Sequence, residues 1–308
     1  MASSERIVTV FGGTGFVGHA LIQQLAERGY TVRIPTRHPD KGLDLKISGL
    51  AGQVRLIQCN PRCEAALTES IKGASIVINL IGELAETKAN SFQYTHVEMP
   101  AKLARIAKAE GVTSFVHLSA LGANLTSPAT YARTKAAGEG SVRAFFPDAI
   151  ILRPGLLFGP RDSFFNRFAL MARFMPFLPL IGGGHTKFQP LYVGDLVTAI
   201  FAVLARPDAR GRLFLLGGND VFTFRELMQL VLNVTGRSCW LLPVPWKLAK
   251  AKAWFFEKWP TPPLTRDQVE MLKIDNVVGS LPKGAGNLAS LGLTPTPLGA
   301  ILPTYLAS

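Results

Sequence analysis

A chain of 308 residues, 48% hydrophobic and 18% charged, is long enough to bury a substantial core and too apolar to stay disordered. No apolar run approaches the roughly eighteen uninterrupted residues of a membrane-spanning helix, yet a mean hydropathy of +0.23 leaves apolar surface for a partner or a membrane. A net charge of +12 and a pI near 9.9 imply an anionic partner, and since no nucleic-acid-binding motif accompanies the charge, nucleic acid is not expected.

The first β-rich run starts at Arg6 and leaves Met1 to Glu5 as a leader too short for a signal or transit peptide, so the protein is expected to stay where it is made. Strands are expected at 6–11, 31–35, 54–58, 75–80, 114–119 and 149–152. Helices are expected at 16–28, 64–72 and 99–110, each closed by a glycine: Gly29, Gly73 and Gly111. Alternation of this kind builds right-handed βαβ units and a parallel sheet covered on both faces. Cys59, Cys63 and Cys239 form no disulfide framework, and the Cys59/Cys63 pair has no further ligands nearby, so no metal is expected.

After Arg153-Pro154-Gly155 the rhythm breaks, and 158–184, rich in Phe, Pro, Met and Gly, reads as a mobile substrate-side segment. Asp195 is expected to cap a helix through Arg206, Leu213 to Leu216 reads as a buried strand, and Thr223 to Glu226 is a capping box opening a helix to Thr235. The last seventy or so residues read as a separate, helical, Pro-rich tail. It holds all four tryptophans, Trp240, Trp246, Trp254 and Trp259, interleaved with Lys247, Lys250, Lys252 and Lys258. Two readings stand for this stretch: the rings pack the small lobe's own core, or 240–259 meets a membrane surface or partner. The expected architecture is an α/β, Rossmann-type doubly wound parallel sheet with a smaller, mainly helical C-terminal lobe. Residues 1–158 with 186–218 form the nucleotide domain, and 159–185 with 219–308 the substrate or docking lobe.

Chemistry starts where the first strand runs into Gly12-Gly13-Thr14-Gly15-Phe16-Val17-Gly18 and a helix follows at once. Small residues permit the tight turn and a close backbone approach, and the unpaired N–H groups of the helix start suit a pyrophosphate. A carboxylate at the end of the second strand would bind the ribose hydroxyls of NAD(H) and repel a 2′-phosphate. Here the chain reads Ile34-Pro35-Thr36-Arg37, and the Arg37 guanidinium suits the phosphate of NADP(H). Ser119 follows the fifth strand, and Tyr131 and Lys135 lie four apart on one helix face twelve residues later. A lysine ammonium beside the phenol is expected to favour the phenolate and make Tyr131 a proton donor or acceptor near neutrality.

With these residues the chain resembles the extended or atypical branch of the short-chain dehydrogenase/reductase superfamily over most of 6–220. The resemblance implies that Gly12, Gly15 and Gly18 form the dinucleotide loop and that Ser119, Tyr131 and Lys135 are the catalytic triad. It also implies that Pro154, Gly155 and Leu156 flank the nicotinamide. Further cofactor contacts are expected at Leu80, Ile81 and Gly82. The stretch Gln58-Cys59-Asn60-Pro61-Arg62 lacks the Gly-Asp often found there in extended members.

Four runs, YARTKAAGE (131–139), DSFFNRF (162–168), FQPLYVGD (188–195) and PLTRDQVEMLKIDNVV (263–278), make the chain similar to the NADPH-binding accessory subunits of respiratory complex I and their bacterial relatives. That likeness implies a structural NADPH, complex I subunits as partners, and a cytoplasmic protein peripheral to the inner membrane. The complete Ser-Tyr-Lys set supports an alternative, a free-standing NADP(H)-dependent oxidoreductase, dehydratase or epimerase. A third class, a redox-sensing regulator bound to nucleic acid, rests on the positive charge alone.

Overall fold

The computed structural model describes residues 6–87, 90–259 and 262–307, so the leader Met1 to Glu5 lies outside the described residues. In chain order the nucleotide-binding half runs β1 (Ile7–Phe11), α1 (Phe16–Glu27), β2 (Thr31–Thr36), β3 (Val54–Gln58), α2 (Glu64–Ile71), β4 (Ile76–Asn79), α3 (Met99–Ala109), β5 (Ser114–Leu118), α4 (Thr130–Phe145) and β6 (Ile150–Pro154). Then follow β7 (Leu157–Phe158), α5 (Phe165–Phe174), β8 (Phe177–Ile181), β9 (Lys187–Phe188), β10 (Leu191–Tyr192), α6 (Val193–Leu204), β11 (Leu213–Leu216), β12 (Phe222–Thr223) and α7 (Phe224–Thr235). The chain ends through β13 (Trp240–Val244), α8 (Trp246–Phe256), α9 (Arg266–Met271), α10 (Leu298–Ile301) and α11 (Pro303–Leu306).

Seven strands form one sheet in the order β3-β2-β1-β4-β5-β6-β11, every pair parallel. Purely parallel strands are buried on both faces, which is why runs such as Val8 to Phe11 and Ile150 to Leu152 are buried without alternation. One face packs α1 and α6 around Leu21, Ile22, Leu25 and Ile200. The other packs α2, α3 and α4 around Leu67, Ile71, Leu103 and Val142. The chain reverses direction across the sheet between β1 and β4, so a crevice opens at their C-terminal ends, where ligands of such folds bind.

A third apolar cluster gathers α5, β8, α7, α10 and α11 around Phe165, Leu178, Leu227 and Leu302, and a small fourth one joins Val244, Ala249, Ala253 and Val269. Three expectations need correction. The stretch 158–184 holds a helix and a strand, because β8 finds a parallel partner in β13. The last seventy residues are not set apart: Gly286 bridges to Phe214 at the sheet edge, Asn276 bridges to Phe188, and Leu288 and Leu291 join the first cluster. Asp195 does not cap α6, whose N-cap position is Tyr192; it sits in the first turn and accepts hydrogen bonds from the N–H and hydroxyl of Thr296, pinning the C-terminal segment. Thr223 and Glu226 do form the capping box that opens α7, which runs to Thr235.

The approach of α4 to a single π-helical turn at Tyr94–Glu98 fixes the site's floor. A Cβ on Gly138 would lie 1.8 Å from the carbonyl oxygen of His96. Gly138→Ala must therefore separate the two elements, and we expect a loss of about 1–3 kcal/mol in urea unfolding. An unchanged midpoint would contradict this close packing.

Candidate functional site

β1 ends at Phe11 and α1 begins at Phe16, so four residues make the whole turn. Gly12 has φ +78°, a left-handed conformation that favours glycine, and a Cβ there would meet the backbone of Leu80 and Ile81 at 3.0 Å. The Gly15 N–H closes the turn on the Gly12 carbonyl at 3.0 Å. Gly15 occupies the N-cap position of α1 without a side chain to cap it, and no acid lies in the first turn. The leading N–H groups of α1 thus keep their polarity for a ligand. Gly18 serves packing, since a Cβ there would fall 2.2 Å from the Gly13 carbonyl oxygen. Val17 goes into the core, and the Phe16 ring lies 3.6 Å from where Gly159 would carry a Cβ.

A cleft of about 380 Å³ opens on this turn. Gly12, Thr14 and Gly15 form one wall and Leu80, Ile81 and Gly82 the other, while Arg37, His38 and Lys41 stand at the end of β2. All three of the latter side chains are exposed. Cys59, Pro61 and Tyr94 complete the far end, and Tyr94 is itself held by a 3.0 Å hydrogen bond from its hydroxyl to the Pro61 carbonyl. A glycine-rich turn with cations at one end fits a dinucleotide carrying phosphate groups. His38 and Lys41 were not singled out from sequence, although their nearness to Arg37 was the available signal.

Ser119, Tyr131 and Lys135 lie beyond that cleft, all buried at the end of β5 and the start of α4. Gly82 links the two regions, for a Cβ on it would lie 3.6 Å from Lys135 Nζ. Lys135 Nζ donates to the Leu118 carbonyl at 2.8 Å. The Ser119 hydroxyl donates to Glu139, and Arg153 grips the same carboxylate with two hydrogen bonds of 2.7 and 2.8 Å. Neither Glu139 nor Arg153 was recognised as a site residue from sequence. Glu139 stands one further turn along α4 from Lys135, and Arg153 near the end of β6, so helix spacing and the expected sheet order carried the signal.

Electrostatics contradict the expectation of a phenolate. Burial pushes the Tyr131 hydroxyl up to about 12. Burial also pulls Lys135 down to about 8, opposed by the charge of Glu139. The Tyr131 ring packs edge-on against His96 and Phe92. His96 is lowered to about 3, chiefly by burial, and is therefore neutral; one ring nitrogen faces the Thr134 hydroxyl at 3.0 Å and the other accepts from the Glu83 N–H at 3.3 Å. It thereby ties the loop after β4 to α4. His117 is likewise held well below its ordinary value by burial and pairs with Asn79.

Pro154, Gly155 and Leu156 lie at the end of β6 and in the turn that follows. The Leu156 N–H donates to the Asn276 side chain at 2.9 Å, and a Cβ on Gly155 would meet the Gln189 carbonyl at 2.8 Å. Asn276 and Gln189 therefore occupy this edge of the site, and neither was identified from sequence.

Comparison with known proteins adds to this geometry. Residues 8–217 match the family described as NAD dependent epimerase/dehydratase. The chain is similar to NADH dehydrogenase [ubiquinone] 1 alpha subcomplex subunit 9, mitochondrial, of Arabidopsis thaliana, at 40% identity over 250 residues, 80% of this chain and 62% of the relative's length. It is similar to the protein of the same name in Rattus norvegicus at 35% identity, covering 95% of this chain and 77% of that one. It is also similar to the ceramide reductase of Caulobacter vibrioides, 31% identical and covering 80% and 76%. Among solved structures, the dTDP-glucose 4,6-dehydratase DesIV of Streptomyces venezuelae, with NAD and TYD bound, superposes with a TM-score of 0.72 at 20% identity, covering 97% and 95%.

The lowered lysine makes stability depend on pH. Below about pH 8 the folded chain buries an ammonium; above it the folded lysine is neutral, while the unfolded one still holds its proton up to about 10.5. The unfolded state binds more protons in that window, so this group's contribution to stability rises from about pH 8 to 10.5. Ligand-free native chain should accordingly gain on Lys135→Met across the window in thermal unfolding. Parallel pH profiles for the two would show that the amine is not desolvated.

Proposed function

Because this chain belongs to the NAD dependent epimerase/dehydratase family, we propose that it binds a nicotinamide dinucleotide, NADP(H) rather than NAD(H), as an accessory subunit of respiratory complex I. The dinucleotide carries hydride chemistry when bound, and this chain's residues hold it. Backbone N–H groups around Thr14, Phe16 and Val17 take the pyrophosphate, Arg37 with His38 and Lys41 takes the 2′-phosphate, and Leu80, Ile81 and Gly82 line the middle. Tyr131 and Lys135 hold the nicotinamide ribose beside Ser119, and Pro154, Gly155 and Leu156 flank the ring.

The observation that carries the holding role is the commitment of the Ser-Tyr-Lys set to the fold. The Ser119 hydroxyl donates to Glu139, Lys135 gives one of its donors to the Leu118 carbonyl, and burial keeps the Tyr131 phenol protonated at neutral pH. The cradle for the dinucleotide meanwhile stays open. The likeness to the rat subunit, running over 95% of this chain and so well past the family match, favours the same assembly. We read 1–158 with 186–218 as the nucleotide domain and 159–185 with 219–308 as the docking lobe, although Leu288 and Leu291 pack into the first apolar cluster and Phe158 and Phe188 into the third.

Docking falls to α8. It is buried through Ala249 and Ala253, so its opposite face carries Leu248, Trp254 and Phe255 with Lys247 and Lys252, and the turn beyond adds Lys258 and Trp259. Trp240, Trp254 and Trp259 are 83%, 53% and 54% exposed, whereas Trp246 packs against Gly182. The rings therefore fill the lobe's own core only at Trp246. An outward face of lysines and aromatics without acids suits an anionic lipid surface, and no helix among the described residues is long and apolar enough to cross a membrane. Peripheral attachment to an anionic membrane surface follows from this reading, and we take that surface to be the cytoplasmic face of the inner membrane.

A second reading, a free-standing reductase, is favoured by the presence of all three residues, Ser119, Tyr131 and Lys135, and by the likeness to a ceramide reductase. NADPH turnover with a long-chain carbonyl substrate, abolished in Tyr131→Phe, would establish it and count against a purely holding role.

Two outcomes test the main reading. Arg37→Ala should weaken NADPH by about tenfold or more while NADH changes little, and equal losses in fluorescence titrations would remove the 2′-phosphate assignment. Reversing charge at Lys247, Lys252 and Lys258 to Glu should abolish co-sedimentation with vesicles rich in phosphatidylglycerol. Undiminished sedimentation would take the docking role away from α8.

A further inference from the structure

The helix that carries Tyr131 and Lys135 has no cap of its own. Ala129 occupies the N-cap position of α4 and offers no side-chain acceptor, and no acid lies in the first turn. The first two N–H groups of α4 are instead satisfied from far along the chain. The carboxylate of Asp267 accepts from the Thr130 N–H at 2.5 Å and from the Tyr131 N–H at 3.0 Å. This places a negative charge at the positive end of the helix dipole and spans 136 or 137 residues of sequence.

Asp267 belongs to α9, and α9 is fastened to α8. Glu257, just past the end of α8, accepts from the backbone N–H and the guanidinium of Arg266, both at 2.7 Å. Lys250 reaches Glu270 at 3.0 Å, and Val269 is buried against Ala249 and Ala253. The next residue of α9 makes a second connection: Gln268 Nε2 donates to the Leu84 carbonyl at 3.2 Å, on the loop whose Gly82 lines the cleft. The helix that presents the lysine and aromatic face therefore grips the dinucleotide site at two points through α9.

We propose that Asp267 is a positioning residue that caps α4 from a distant part of the same chain and makes the α8–α9 hairpin and the nicotinamide end of the site one cooperative unit. The proposal rests on the cofactor and docking roles argued above and adds the connection between them. Ordering α4 around a bound dinucleotide then orders α8–α9, and any partner that orders α8–α9 strengthens nucleotide binding by the same factor.

Hydrogen exchange read by mass spectrometry on the full chain, with and without NADPH, tests it. In the native chain NADPH is expected to slow exchange at Gly12 to Gly18, in the first turn of α4, and across 246–271. Asp267→Asn, which keeps the shape but loses the charge and one acceptor, should bind NADPH about fivefold more weakly and lose the response across 246–271 while keeping it at Gly12 to Gly18. Adding Ala129→Ser to Asp267→Asn supplies a local cap. It should restore NADPH affinity and protection of α4, and leave 246–271 indifferent to the nucleotide. A response at Gly12 to Gly18 with none across 246–271 in the native chain, or one that survives Asp267→Asn, overturns the coupling alone. Absence of protection at Gly12 to Gly18 overturns the cofactor reading and the coupling together.

Discussion

A helix cannot leave its leading N–H groups unsatisfied in a dry interior, and two helix starts answer that constraint in opposite ways here. At α1 the turn is rich in glycine, the first turn carries no acid, and Gly12, Thr14 and Gly15 line a cleft. At α4 the N-cap residue is equally mute, but Asp267 arrives from the other end of the chain and takes the donors for the fold. One helix start is thus left for a ligand and the other is closed by the protein. The sheet order brings the two starts to the same edge, since β1, β4 and β5 are neighbours.

The contrast runs through the chemistry of the site. Reactive side chains serve turnover when their protons move easily near neutral pH and when substrate can reach them. Tyr131 is buried among aromatic rings, Ser119 points to a carboxylate already gripped by Arg153, and Lys135 is tied to a main-chain carbonyl. A set arranged in this way gives a rigid floor beneath a nucleotide. The same burial that stiffens the floor raises the phenol and lowers the amine.

Features set by nearby residues were legible in the sequence. The strand at Val54–Gln58 and the strand at Leu213–Leu216 have the expected limits, and Gly29, Gly73 and Gly111 each take positive φ just past a helix. The glycine turn was legible because strand, loop and helix are contiguous. Contacts made across long sequence separations were not. Nothing near Ala129 announces that Asp267 will cap its helix, and nothing near Leu156 announces Asn276. Family likeness marked 263–278 as distinctive without saying what it does. The expected phenolate failed for a related reason: four-residue spacing places Tyr131 and Lys135 on one face, but burial and the Leu118 carbonyl decide their protonation.

The account stands or falls on what lies across the turn from Gly12 to Gly18 in the native protein. The chain should be isolated gently from its own membranes, denatured, and its bound small molecules quantified by mass spectrometry against chain concentration. One NADP(H) per chain is the predicted result. A chain that carries no dinucleotide, or one that carries a dinucleotide without the 2′-phosphate, would contradict it.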